Sequence, residues 1–168
     1  MKISLGASNG RGLSKAPFPF QQTYVTPLKD LHRFVNALLA PFEVGEAAIW
    51  IETIVFTPND LIAYLQSFGI TTNEGELNQA VLSADSPSET RELLEHVLGD
   101  WIDFAFIPSS KTFAIYADHD EFTTIFTASP EVLALLQADM KLQGFKAVEN
   151  WTWTGPRTPD KIEEGINV

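Results

Sequence analysis

Three carboxylates surround one imidazole in the run Asp118-His119-Asp120-Glu121. Carboxylate oxygens at that density suit a hard cation, and a carboxylate beside a histidine tunes it as an acid or base near neutral pH. Tyr116 and Asp103, on neighbouring predicted strands, would complete an enzyme site of this kind. The same run also reads as a solvated hairpin loop, because aspartate favours turns by bonding its own backbone. A cation site needs further oxygen ligands, and no D-x-D-x-D-G calcium loop is present. The expectation is therefore an exposed loop end for Asp118, Asp120 and Glu121, with no structural metal and no cofactor.

A second pattern, Gly6-Ala7-Ser8-Asn9-Gly10, matches the G-x-S-x-G nucleophile elbow. That device needs a strand before it and a helix after it. Only five residues precede it here, and Arg11 through Pro17 is not helical in pattern. The segment reads as a turn. It also lacks the G-K-[ST] of a phosphate-binding loop. His32 and His96 fall in predicted helices among charged neighbours, and no two histidines share metal-ligand spacing. Cysteine is absent, which removes disulfides, thiolate nucleophiles and cysteine-based zinc sites.

The elements that must position these residues are punctuated by Ser or Thr followed by Pro, at Thr26-Pro27, Thr57-Pro58, Ser86-Pro87 and Ser129-Pro130. The hydroxyl can cap orphan helix amides, and proline at the first helical position loses no useful N–H. An apolar stripe at helical spacing follows each pair, which predicts four helices. They stop before Pro41, at Gly69, at Gly99 and near Gly144. A fifth, short helix is expected around Glu76–Leu82. Ala47–Phe56, Trp101–Ile107, Thr112–Ala117 and Phe122–Thr127 read as strands, the last three as an antiparallel meander. Shorter strands are expected at Lys2–Leu5 and Phe145–Val148. Trp50 and Trp101 are placed in the core, and Trp151 and Trp153 over its edge.

This pattern predicts an α+β fold: one domain with an antiparallel β-meander flanked by about four helices. Its expected limits are 26–154, with an irregular segment over 1–25 and a polar tail over 155–168. The chain of 168 residues is long enough for one core without staples.

Charge is the most informative feature. The chain carries 22 acidic and 11 basic residues, a formal net charge of −11. From Phe34 to Ser110 there are 12 acidic residues and one basic residue, Arg91. The remainder is balanced, so the whole excess lies in that window. Such a charge argues against a nucleic-acid binder, which needs Lys and Arg to neutralise phosphate, and against an anionic membrane surface. No apolar run is long enough to span a bilayer and no secretory signal is evident, so the expected location is cytoplasmic. An acidic surface suits a basic protein partner and speeds its encounter. Glu89, Glu92 and Glu95, three apart on the Pro87 helix, are the expected contact residues, with Asp100 and Asp103 just beyond.

The segment from Asp103-Phe104-Ala105-Phe106-Ile107-Pro108 through Tyr116-Ala117-Asp118-His119-Asp120-Glu121-Phe122-Thr123-Thr124 resembles a stretch of small bacterial proteins, some of which look like immunity proteins. The resemblance covers roughly residues 101–127. It implies a small, acidic, non-enzymatic domain that neutralises a basic toxin, and it assigns no individual residue. The alternative is a small hydrolase or metal-dependent enzyme built on Asp118–Glu121.

Overall fold

The fold is described from a computed structural model covering residues 1–4, 18–149 and 151–153. Seven strands form one sheet: β1 (Lys2–Ser4), β2 (Phe20–Val25), β3 (Ala47–Thr53), β4 (Val81–Ala84), β5 (Asp103–Pro108), β6 (Phe113–Ala117) and β7 (Phe122–Thr127). Their spatial order is β1-β4-β3-β5-β6-β7-β2. Every neighbouring pair is antiparallel. The helices are α1 (Leu31–Leu39), α2 (Asn59–Ser67), α3 (Glu74–Leu77), α4 (Pro87–Gly99) and α5 (Pro130–Leu142). The fold is α+β, with β5, β6 and β7 as the expected meander. Among the described residues no helix is long and apolar enough to cross a membrane.

Alternation along the strands separates two faces. Ile49, Ile51, Leu82, Phe104, Phe106, Phe113, Ile115 and Ile125 point to one side and form the main core with the helices. Phe34, Leu38, Leu94 and Leu136 are the helical side of that contact, each fully buried. Among the described residues the opposite face carries no helix. Ala105, Ala114, Tyr116 and Phe126 form a smaller cluster there, against Phe18, Trp50, Ile107 and Trp153.

Two strands depart from the expected boundaries. Residues 1–25, read as irregular but for the short strand expected at Lys2–Leu5, contribute β1 at that place and also β2, and the two occupy opposite edges of the sheet. In β2 both faces are mixed, because Gln21 and Gln22 interrupt the apolar alternation of an edge strand. β4 is only four residues long and lies where a helix was expected to extend. That helix, α3, is a single turn capped by Asn73, whose side chain accepts from the Glu76 amide. Residues 145–148 pair with the β2 edge only through an isolated bridge, Ala147 with Tyr24. The tail over 155–168 and the Gly6–Gly10 pattern lie outside the described residues.

The hydroxyl–proline pairs behave in two ways. Ser86 and Ser129 cap α4 and α5, accepting from the amides of Glu89 and Val132 at 3.3 and 3.2 Å. Thr26 and Thr57 cap nothing. The Thr26 hydroxyl instead bonds that of Thr123 at 2.8 Å. α2 and α5 end in left-handed glycines, Gly69 and Gly144, with the double backbone closure that satisfies their last carbonyls. The end of α4 has the same closure, but the left-handed residue is Trp101, at φ 55°. The amide of Trp101 reaches Leu98 and that of Ile102 reaches Val97. Trp101 is thus a half-exposed helix stop rather than a buried strand residue, and β5 begins two residues later. Gly99 is still helical, the last residue of α4, so the closure falls beyond it.

Candidate functional site

The helix-free face of the sheet gathers the ionisable groups that the sequence scatters. The β3–β5 register shifts between Ile51 and Thr53, so Glu52 stands in a bulge opposite the start of β5. Glu52 is the one charged residue within β3, and the bulge sets it beside Asp103 and Tyr116. Burial pushes the Glu52 carboxyl above its ordinary value, and the nearby Asp103 charge adds to this. The Tyr116 hydroxyl reaches the Glu52 carboxylate and opposes the shift. Burial and the surrounding carboxylates in turn raise the Tyr116 phenol.

Asp103, only 9% exposed, anchors the β6–β7 hairpin. Its Oδ1 accepts the His119 backbone amide at 2.7 Å and His119 Nδ1 at 2.8 Å. That hydrogen bond, and then the negative charges of Asp103, Asp120 and Asp118, raise the imidazole above its usual value against a smaller burial effect. His119 Nε2 stands 3.9 Å from Asp120 Oδ1. Asp118 Oδ1 accepts the Asp120 amide at 3.1 Å, an Asx turn that shapes the hairpin end. Burial raises the Asp118 carboxyl, although backbone amides lower it. Asp118 is therefore half-buried rather than exposed, while Asp120 and Glu121 are exposed as expected. Glu121 takes the left-handed turn position at φ 69°.

The two candidate sets do not remain separate. Asp103 joins Asp118, His119 and Asp120 on the helix-free face. Glu89, Glu92 and Glu95 lie on α4, in the layer on the other side of the sheet, and each is engaged within the chain. Glu89 accepts the Asp85 amide at 3.0 Å and pairs with the Met1 ammonium at 3.4 Å. Glu92 accepts from the Tyr64 hydroxyl at 3.2 Å. Glu95 meets His32 Nδ1 at 2.9 Å. Asp100 turns inward and accepts the amides of Leu61 and Asp60 at 2.7 and 3.4 Å, at the start of α2. The five carboxylates thus form no single surface.

Chemically, the helix-free cluster is a set of carboxylates with one imidazole and one phenol. The Asp103–His119 pair has the geometry of an oriented base, but its free nitrogen faces Asp120 and not a hydroxyl nucleophile. Among the described residues no three His, Asp or Glu side chains are arranged to hold a metal ion. Glu52 was missed as a site residue in the sequence. The available signal was a lone glutamate in an apolar β-branched run. Comparison with protein-family models, curated proteins and solved structures returns no match.

Proposed function

We propose that this protein is a non-enzymatic binding protein that captures a basic protein, in the manner of an immunity-type inhibitor neutralising a toxin. The carrying observation is where the acidic excess falls. The window from Phe34 to Ser110 folds into β4, β3 and β5, which are adjacent in the sheet, together with α1 to α4. The rest of the described residues form β6, β7, β2 and α5, with β1 beside β4, and carry seven acidic against six basic side chains. One half of the molecule therefore carries the negative charge and the other half almost none. A field of that shape draws a cationic protein and repels nucleic acid.

The test is capture on the immobilised protein at low salt. A basic protein should bind, and it should release near roughly 0.5 M salt, where charges are screened within a few Å. Co-expression should suppress that protein's toxicity. Binding indifferent to salt, or no neutralisation of the captured protein, would refute the reading. A second reading, a small hydrolase using the Asp118–Glu121 loop, draws support from the oriented Asp103–His119 pair. It requires turnover of an ester or amide substrate that is lost in His119→Ala and retained in Glu92→Lys.

A further inference from the structure

Helix α5 is apolar on both sides. Leu133, Leu136 and Met140 belong to the core and are buried. Ala134, Leu135, Ala138 and Leu142 lie on the other side, and all four are exposed. Positions 134, 138 and 142 are four apart and 135 and 142 are seven apart, so the four share one stripe. Leu135 is 66% exposed and Leu142 85%, which makes them the two most exposed large hydrophobic side chains among the described residues. One exposed leucine is ordinary, but two with two alanines on one helix side form a patch that a solvated helix does not need. Ser4, Phe18 and Trp153, which border residues 5–17 and 154–168, lie elsewhere. Ser4 ends β1, at the sheet edge opposite to β2, and Phe18 and Trp153 pack on the helix-free face. α5 is in the other layer, against β2 and β7.

We infer that this stripe joins two copies of the chain, α5 against α5, antiparallel about a two-fold axis. The stripe is self-complementary in charge. Glu131 stands in the first turn of α5 and Lys141 in the last, both exposed on the side of the stripe. An antiparallel pair centred between Ala134 and Ala138 sets Glu131 opposite Lys141 of the second copy at both ends of the contact. The Ser129 hydroxyl already donates to Glu131 at 2.8 Å, and a carboxylate has capacity for more. Ala134 and Ala138 are one turn apart at the crossing, where small side chains let two helices approach closely, and Leu135 and Leu142 flank them. α5 also belongs to the half of the molecule that holds little of the net charge. α1, the helix that packs on it, contains no acidic residue. Two copies meeting there keep their acidic halves apart. The contact is one helix of 13 residues, about 20 Å long, so the dimer stands at the weak end of specific interfaces. The inference is independent of the proposed capture function, whose charged surface is on the other half.

The experiment is sedimentation equilibrium of the full chain over about a hundredfold range of concentration, where mass action separates monomer from dimer. A reversible monomer–dimer equilibrium is expected. Leu135→Asp should raise the dissociation constant by about tenfold or more, because a charge then enters the apolar contact, and the exposed position leaves the monomer folded. Glu131→Lys or Lys141→Glu alone should weaken the dimer by about threefold, and the two together should restore it, since opposite charges meet again. That restoration distinguishes a contact from damage to the helix. Within one chain both reversals oppose the helix dipole, so damage would add up. A protein that stays monomeric throughout overturns the inference. So does a dimer that Leu135→Asp leaves intact, or a double variant weaker than either single one. Contacts from the Leu142 methyls to residues 154–168 in a monomer would show a different occupant and overturn it as well. Binding of the monomer to phosphatidylcholine vesicles, abolished by Leu135→Asp, would do the same.

Discussion

The Asp100 carboxylate accepts the Leu61 amide at 2.7 Å and so caps α2 from the end of α4, across 39 positions of sequence. Thr57 and Pro58, which by pattern should have started α2, supply no side-chain cap. A charged acceptor at a helix N-terminus also meets the positive end of the helix dipole. Asp100→Ala should therefore cost about 1 kcal/mol, the usual worth of a cap, whereas Thr57→Ala should change stability by a few tenths at most. Denaturant unfolding of the two variants checks this. Equal losses would place the cap with the threonine after all.

Glu52 is expected to work against stability at neutral pH. Burial and the Asp103 charge raise its carboxyl in the folded state. For an acid with a raised folded pKa, the cost of ionisation is absent below its unfolded value and complete above its folded value. Glu52→Gln removes the charge and keeps an oxygen that can accept from Tyr116. The variant should melt higher than the parent at pH 7, and the two should converge as the pH falls below the ordinary glutamate range. A stabilisation independent of pH would mean that packing, and not desolvated charge, sets the effect.

Much of this was legible beforehand, and the failures share a cause. The helices α4 and α5 could be read because Ser86 and Ser129 cap amides three residues away, a purely local device. The meander could be read because its loops are short and its strands apolar. Trp101 and Asp100 could not. Asp100 serves α2, a neighbour distant in sequence, and α4 runs through Gly99 so that its left-handed stop falls on Trp101, a residue whose type does not mark such a position. The site divides in the same way. The Asp118–Glu121 cluster is continuous in sequence and was visible. Asp103 and Tyr116 were expected beside it from the neighbouring strands, whereas Glu52 arrives through a strand bulge, which spacing alone does not encode. The glutamates of α4 were legible as residues of one helix, but spacing said nothing of Tyr64, His32 or the Met1 ammonium that would meet them.

Lys111 holds a left-handed backbone at φ 53° in the β5–β6 connection, and its side chain is exposed. A residue with a Cβ is strained there, and glycine is not. Lys111→Gly should stabilise the protein by up to about 1 kcal/mol, less whatever glycine adds to the freedom of the unfolded chain. Thermal unfolding should show a higher midpoint. A loss of more than about 0.5 kcal/mol, the limit for an ordinary surface change, would mean that the Lys111 side chain makes a stabilising contact.

His119 should report the Asp103 carboxylate directly. The hydrogen bond at 2.8 Å raises the imidazole above its ordinary value of 6.5, with Asp120 and Asp118 adding smaller electrostatic contributions in the same direction. For a base with a raised folded pKa, the stabilisation is complete below the unfolded value and is lost as the pH rises through the folded one. His119→Ala should therefore destabilise the protein more at pH 5 than at pH 9. Asp103→Asn keeps an acceptor for both His119 nitrogens, backbone and ring, and removes only the charge. An NMR titration of the imidazole should give a midpoint above 6.5 in the parent and a lower one in Asp103→Asn. The hairpin amide of His119 should stay protected from exchange in that variant, since the backbone hydrogen bond survives. If the midpoint is unchanged while protection is lost, Asp103 acts as a backbone clamp and its charge does not tune the imidazole.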